Sequence, residues 1–326
     1  MKKRKNPLAG ILIHVMKFGG GSMDSAESIK RAVKIFEEEN GSIMVVSAFK
    51  GMTNMLEEIA DIQNSKMFLD DFILFHRWIV KGLNIDFPEM DRFFEEQIAR
   101  FNANYSRLLE SVVDSPEYQK CRANIISMGE DFSHWIMYSY IKKHVPSLAK
   151  KMEMLNSREI IRAQVTGMRY DNSLFDQKAT KEAIKNFFPK VESFSKKYII
   201  QGYVAASFEE GDIVTRLLGR EGSDVTAALL YHCLKRLFPQ KGELLLSYVK
   251  SFGPDGLKEN VGTRKFFQYM YEHKKVIVSK NILLIEDLDG YFQVINFDNP
   301  KISFTVALTE PIMKELRDEI LQQVSK

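Results

Sequence analysis

The sequence predicts an α/β protein built on a parallel sheet, and three observations carry that prediction. First, an apolar, β-branched run at 11–18, a helix-periodic segment and a second apolar run at 42–48 follow one another within about forty residues, which makes a βαβ unit. Second, the same alternation of short apolar runs and helical periodicity returns after residue 150. Third, between the two lies a stretch from Leu56 to about Val145 with few glycines and with Phe, Leu and Ile every three or four residues, broken only at Pro88 and Pro116. That stretch reads as several helices.

The elements follow in order. Ile11-Leu12-Ile13-His14-Val15-Met16-Lys17-Phe18 is a strand that runs into Gly19-Gly20-Gly21-Ser22. Asp24 or Ser22 can cap the next helix, in which Ala26, Ile29, Ala32, Val33 and Phe36 share a face until Asn40-Gly41 stops it. Residues 42–48 suit a strand buried on both faces. After the helical stretch, 151–155 reads as a strand, 178–188 as a helix and 198–205 as another buried strand. A helix starts behind Gly222-Ser223-Asp224 with Val225, Ala228, Leu229 and Cys233 on its buried stripe, and 243–249 is a further strand. A last helix, 311–324, has Thr309 as N-cap and Pro311 in its first turn.

The 326 residues allow one large α/β domain or two lobes. Without a fixed-period repeat or a low-complexity linker, two tightly joined lobes are expected. With 45% hydrophobic and 27% charged residues, fibrous and disordered classes are excluded. The balance of 46 Lys+Arg against 43 Asp+Glu is too even for non-specific nucleic-acid binding, so no nucleic-acid partner is expected. Cys121 and Cys233 lie in no metal or disulfide pattern, so no protein metal site is read and a reducing compartment is expected. Residues 1–10 form a basic tail rather than a signal peptide, because Pro7, Gly10 and His14 break the apolar run. No run of ~18 apolar residues occurs, so no membrane partner is expected and the protein is placed in the cytoplasm.

Two motifs carry chemistry. Lys17-Phe18-Gly19-Gly20-Gly21-Ser22 sets a cation at the carboxyl end of a strand and three glycines just outside it, where backbone N–H groups can cradle an anion. The order is neither that of a Walker A loop nor that of a dinucleotide fingerprint. Leu218-Gly219-Arg220-Glu221-Gly222-Ser223-Asp224 repeats the arrangement at a helix N-terminus, with an arginine able to grip a carboxylate bidentately. In isolation Asp224 is equally an ordinary first-turn acid. Together the loops describe a site for phosphate and a small carboxylate. His14, His134 and His232 read as packing or surface residues.

Four segments, Val15-Met16-Lys17-Phe18-Gly19-Gly20-Gly21-Ser22, Val45-Val46-Ser47-Ala48-Phe49-Lys50-Gly51-Met52-Thr53-Asn54, Ser127-Met128-Gly129-Glu130-Asp131-Phe132-Ser133 and Leu218-Gly219-Arg220-Glu221-Gly222-Ser223-Asp224-Val225-Thr226-Ala227-Ala228, resemble in this order the motifs of the aspartate kinase family. Asn156-Ser157-Arg158-Glu159 is similar to that family's Asp-Ala-Arg-Glu, and Gln201-Gly202-Tyr203-Val204-Ala205 to its Gln-Gly-Phe-Ile-Gly. The resemblance implies the amino-acid kinase fold: a bilobal, three-layer α/β/α sandwich with a mainly parallel sheet and a helical insertion. It implies an amino-acid-binding lobe at 11–240 with its insertion at 55–145, a nucleotide lobe at 241–305 and a C-terminal helix at 306–326. It further implies phosphorylation of the side-chain carboxylate of L-aspartate by ATP, with nucleotide-bound Mg²⁺, as the first step of lysine, threonine and methionine biosynthesis. A homodimer is left open. A pair of regulatory ACT domains is not expected within this length.

By the matched positions, Lys17 would stabilise the transferring phosphoryl group with the amides of Gly19, Gly20, Gly21 and Gly222, and Asp224 would orient Lys17 and the substrate. Arg220 would hold the substrate's α-carboxylate and Glu130 its α-ammonium, with Ser47, Thr53 and Ser223 beside it. Such a carboxylate acceptor is already ionised and needs no general base, so positioning and charge neutralisation suffice. Departures concentrate at the nucleotide side. Gly21 stands for Thr, Glu221 for Gly, and Ser247-Tyr248-Val249-Lys250-Ser251 for Thr-Asp-Val-x-Gly, so the family's aspartate is lost at Tyr248. Lys275-Val276-Ile277-Val278 and the following Asn281-Ile282-Leu283-Leu284 resemble the family's nucleotide lysine and its helix, with Lys274 as a neighbouring candidate, although local propensity makes 276–278 a strand. Two other readings stand beside the first: an enzyme of the same fold with another carboxylate acceptor, and a weakly catalytic amino-acid-binding relative.

Overall fold

The structure, a computed structural model, describes residues 13–61, 66–85, 87–165, 170–171, 173, 175–189, 194–219, 222–238, 244–252, 258–261, 276–278, 282–286, 291–296 and 304–307. Its strands are β1 (Ile13–Phe18), β2 (Ile43–Val46), β3 (Met152–Leu155), β4 (Lys197–Gln201), β5 (Val204–Glu209), β6 (Asp212–Leu217), β7 (Leu244–Phe252), β8 (Lys258–Val261), β9 (Val276–Val278), β10 (Ile282–Glu286), β11 (Tyr291–Asn296) and β12 (Phe304–Ala307). Its helices are α1 (Ala26–Glu38), α2 (Met52–Asp61), α3 (Lys66–Gly82), α4 (Pro88–Glu110), α5 (Pro116–Ile126), α6 (Met128–His144), α7 (Pro146–Ala149), α8 (Ser157–Ile160), α9 (Gln177–Phe187) and α10 (Gly222–Leu237).

A central sheet runs β3-β4-β2-β1-β7-β8, parallel throughout except for β8, which pairs antiparallel with β7. Every residue of β1 and β2 is buried, as parallel strands covered on both faces require. Strand residues alternate between faces. Met16, Phe18, Met44 and Val46 enter one core with residues of α1 to α6, and Ile13, Val15, Ile43, Val45 and Ile200 enter a second with α9 and α10. The result is the three-layer sandwich. Lys17 shares the parity of Ile13 and Val15 and so lies on the α10 face, opposite Val45 of β2 and Tyr248 of β7.

The helices of 52–144 stack their aromatic rings under α6. The Phe132 ring lies 5.1 Å from each of Phe72, Phe93 and Phe94 and 4.5 Å from the His76 ring, centroid to centroid. Burial pushes His76 down to about 3, so it packs as a neutral ring whose Nδ1 donates to the Phe72 carbonyl at 2.7 Å. His134 and His232 are likewise held down, to about 4 and about 3, by burial, and with His14 they are packing residues. Pro88 and Pro116 occupy first-turn positions of α4 and α5, where the missing N–H costs nothing. Among the described residues no helix is long and apolar enough to cross a membrane.

Three expectations are corrected. The cap of α1 is Ser25, not Asp24 or Ser22: a short 3₁₀ turn, Gly20–Ser22, intervenes, and Ser25 Oγ accepts from Ser28 N at 3.2 Å. Asn40 does end the helix, with φ of 50°, while Gly41 N returns to Phe36 O at 2.8 Å. The single strand at 198–205 is two, β4 and β5, because Tyr203 turns with φ of 65°. β5 then pairs with β6 through a two-residue turn, Glu210-Gly211, whose φ values of 52° and 95° match the twist of a hairpin. Among the described residues the stretch implied as a helix after 278 is strand instead: β9 and β10 are antiparallel strands in a sheet ordered β12-β11-β10-β9, so the β-branched propensity of 276–278 prevails over the resemblance. The helix expected at 311–324 lies outside the described residues.

Replacing Ser25 with Ala should cost ~1 kcal/mol by removing the cap of α1. Urea unfolding should show a lower midpoint with an unchanged slope.

Candidate functional site

The chain leaves β1 at Phe18 and turns at once. Gly19 O accepts from Ser22 N at 2.9 Å and from Ser22 Oγ at 2.9 Å, which closes the glycine turn on itself. A Cβ at Gly20 would lie 3.2 Å from Ala48 O and 3.3 Å from Lys50 Cα, so glycine there lets the turn press against the chain leaving β2. Ser47 N donates to Phe18 O at 3.2 Å, and Thr53 follows in the first turn of α2. Ser47 and Thr53 are both half-buried.

From the other face comes α10. Gly219, with φ of 72°, reverses the chain, and its carbonyl accepts from Gly222 N at 3.0 Å. Asp224, in the first turn, is fully buried and forms an ion pair with Lys17, itself 3% exposed. The helix can reach this depth because Gly202 and Gly222 have no side chains. A Cβ on Gly202 would sit 2.5 Å from Ser223 Cβ and 2.6 Å from its Cα, and one on Gly222 would sit 3.0 Å from Tyr203 Cα. Thr226 Oγ1 accepts from Tyr203 N at 3.1 Å and donates to Gly222 O at 3.0 Å, which fastens the crossing.

Glu130 enters from α6 and is 1% exposed. Its Oε1 accepts from Ala48 N at 3.2 Å, and its Oε2 is buried without a hydrogen-bond partner among the described residues. Gly129 permits the approach, since a Cβ there would lie 2.9 Å from Ala48 Cβ. Burial pushes the Glu130 carboxyl up to about 8, against the Ala48 N–H, which favours its ionised form. Neighbouring Asp131 adds to the rise and Arg158 opposes it.

Lys17, Gly19, Gly20, Gly21, Ser47, Thr53, Glu130, Gly222, Ser223 and Asp224 are thus linked by contact or by adjacency around the carboxyl ends of β1 and β2. Open α/β sheets bind ligands at this edge. Ser247 is not in the glycine turn or on α10; its backbone lies on β7, opposite Met16. Arg220 and Lys275 lie outside the described residues. Sequence reasoning missed Asp131, which accepts from Arg158, Arg100 and Gln201 beside a cleft of about 430 Å³. Its signal was available, because Arg158 and Gln201 both stand in matched segments. Chemically, the site offers a buried ammonium paired with a carboxylate beside a glycine turn and, against the loop after β2, a buried carboxyl with one oxygen that no described residue hydrogen-bonds. A small ligand carrying both signs of charge fits that pattern.

Residues 13–236 match the family described as Amino acid kinase family. The aspartokinase of Chlamydia trachomatis is 30% identical over 219 residues, covering 66% of this chain and 45% of that protein. The aspartokinase of Chlamydia muridarum is 28% identical over 231 residues, covering 70% and 46%. The chain therefore spans less than half the length of these curated relatives. Among solved structures, E. coli aspartokinase III in complex with aspartate and ADP has a TM-score of 0.59 at 21% identity, covering 73% of this chain and 49% of that one. Clostridium acetobutylicum aspartate kinase has a TM-score of 0.50 at 17% identity, covering 96% and 82%. Both share the fold.

Gly202→Ala should destabilise the protein by about 1–3 kcal/mol, because the new Cβ meets backbone that cannot swing aside. Thermal unfolding should register this as a drop of several degrees, and an unchanged melting temperature would contradict the close approach of α10 to the turn after β4.

Proposed function

The chain belongs to the amino acid kinase family, and from that premise we propose that it is an aspartate kinase, moving the γ-phosphoryl group of ATP to the side-chain carboxylate of L-aspartate. The observation that carries this reading is the buried Lys17–Asp224 pair behind the glycine turn, with the spare oxygen of Glu130 one loop away. Aspartokinases among its relatives, and a fold neighbour whose title names aspartate and ADP, support the same choice of substrates.

On this reading Asp224 fixes the Lys17 ammonium at the end of β1, and the amides of Gly19, Gly20 and Gly21 line the path of the phosphoryl oxygens. Charge that develops on the transferring group then meets donors already in place, which is where electrostatic catalysis is largest. Glu130 receives the α-ammonium, Arg220 the α-carboxylate, and Ser47, Thr53 and Ser223 complete the amino-acid side. No proton needs to leave the acceptor, which accounts for a site without a histidine base. Residues 241–305, with Ser247 and Lys275, would carry the nucleotide, and Mg²⁺ would arrive on its phosphates. Among the described residues no group of three His, Cys, Asp or Glu side chains offers the ion a cage of its own. The enzyme would work in the cytoplasm and feed the synthesis of lysine, threonine and methionine.

Incubation with ATP, Mg²⁺, L-aspartate and hydroxylamine should yield aspartyl hydroxamate. Binding of L-aspartate without product would favour the weakly catalytic relative, a reading for which the Tyr248 departure speaks. Lys17→Ala should lower turnover by ~10²–10³-fold while calorimetry still shows L-aspartate binding, and turnover at the parental rate would remove Lys17 from this role.

A second expectation concerns pH. Glu130 is neutral below about 8 in the free protein, whereas an ammonium ligand prefers the carboxylate. Affinity for L-aspartate should therefore rise between pH 6 and 8, at most ~tenfold per unit, with a proton released on binding. Calorimetry in buffers of different ionisation enthalpy would count that proton, and Glu130→Gln should abolish both the slope and the release.

A further inference from the structure

Two matched segments have no part in the chemistry above, yet both end on the residue next to Glu130. Asp131 is 9% exposed. It accepts from Arg158 Nη1 at 2.9 Å and Nη2 at 3.0 Å, from Arg100 Nη1 at 2.6 Å and from Gln201 Nε2 at 3.0 Å. Gln201 Oε1 in turn accepts from Ser157 N at 2.9 Å, and Ser127 Oγ accepts from Arg158 Nη2 at 2.8 Å and Arg100 Nη2 at 3.0 Å. Arg158 Nε donates to Thr215 Oγ1 at 3.1 Å, which carries the cluster on to β6. Burial by itself would raise the Asp131 carboxyl, but Arg158 and Arg100 hold it well below the usual carboxylate range, so it stays charged. Of the guanidinium groups that line the cleft beside it, those of Arg100 and Arg158 are committed to Asp131, Ser127 and neighbouring acceptors.

Successive residues of a helix point about 100° apart. Glu130 therefore faces the loop after β2 while Asp131 faces β4 and α8. Fixing one side of the turn fixes the rotation of the other.

We propose that Asp131 is a positioning residue: clamped by Arg100, Arg158 and Gln201, it ties the first turn of α6 to α4, α8 and the end of β4 and so holds Glu130 against Ala48, aimed at the substrate's α-ammonium. This rests on the reading of Glu130 as the ammonium site. The clamp also acts through charge. The charged groups that act on Glu130 are Asp131 on its own helix and Arg158 on α8; the Tyr203 phenol after β4, held well above its ordinary value by burial and by Glu130 itself, stays neutral beside them. Removing Asp131 leaves unbalanced positive charge near Glu130, and removing Arg158 leaves negative charge, so the two changes drive the Glu130 carboxyl in opposite directions.

The test measures L-aspartate binding by calorimetry and steady-state turnover across pH for the parent, Asp131→Asn, Arg158→Gln and Gln201→Met. Both charge variants should raise the KM for L-aspartate about five- to tenfold with kcat within about twofold. The inflection in the pH profile of affinity should move down in Asp131→Asn and up in Arg158→Gln. Gln201→Met, which loses a hydrogen bond but no charge, should raise KM about threefold and leave the inflection in place; it and Arg158→Gln carry the test should Asp131→Asn not fold. Parental KM in the variants, a shift of both inflections in one direction, or a fall in kcat that matches the fall in kcat/KM would overturn the assignment. A parent that fails to bind L-aspartate would instead remove the substrate reading beneath it.

Discussion

The ion pair between Lys17 and Asp224 is the constraint around which the rest of the site is arranged. Each partner is buried, and removing a charged group from water costs several kcal/mol unless its counter-ion meets it closely. One partner ends a central strand and the other opens a helix on one face of the sheet, so α10 has a single acceptable docking position against β1. The glycines follow from that position. Gly202 and Gly222 are where α10 and the turn after β4 come within backbone contact, and larger residues would lift Asp224 away from Lys17.

The opposite face of the sheet solves a different problem. Glu130 must be presented at the sheet edge from a helix that is buried along most of its first half. Aromatic rings packed on Phe132 hold α6 from below, while Asp131 and its arginines hold it from the side. One carboxyl is then ionised and structural, the next is raised by burial and available. Environment alone separates two adjacent acids, because one sits among guanidinium groups and the other, away from them, meets only backbone N–H groups.

Much of this was legible in the chain. The βαβ start, the helical stretch with prolines at the first turns of α4 and α5, and the glycine turn after β1 follow from local periodicity and from what proline and glycine permit. Other features were not. β4 and β5 read as one strand because 198–205 is apolar throughout, and only the approach of α10 forces the break at Gly202-Tyr203. The hairpin that follows was written in Glu210-Gly211, a turn signal that the preceding apolar run obscured. Asp131 looked like an ordinary first-turn acid, since its partners lie 27, 31 and 70 residues away.

By itself, then, the sequence determined the fold class, the order of the motifs and the residue types able to handle phosphate and an amino acid, because those depend on neighbours a few positions apart. Tertiary structure alone decided that Lys17 meets Asp224, that Glu130 keeps an oxygen in reserve and that Asp131 becomes a clamp. These depend on which charges share a buried space, and burial is a property of the packed layers rather than of any segment within them.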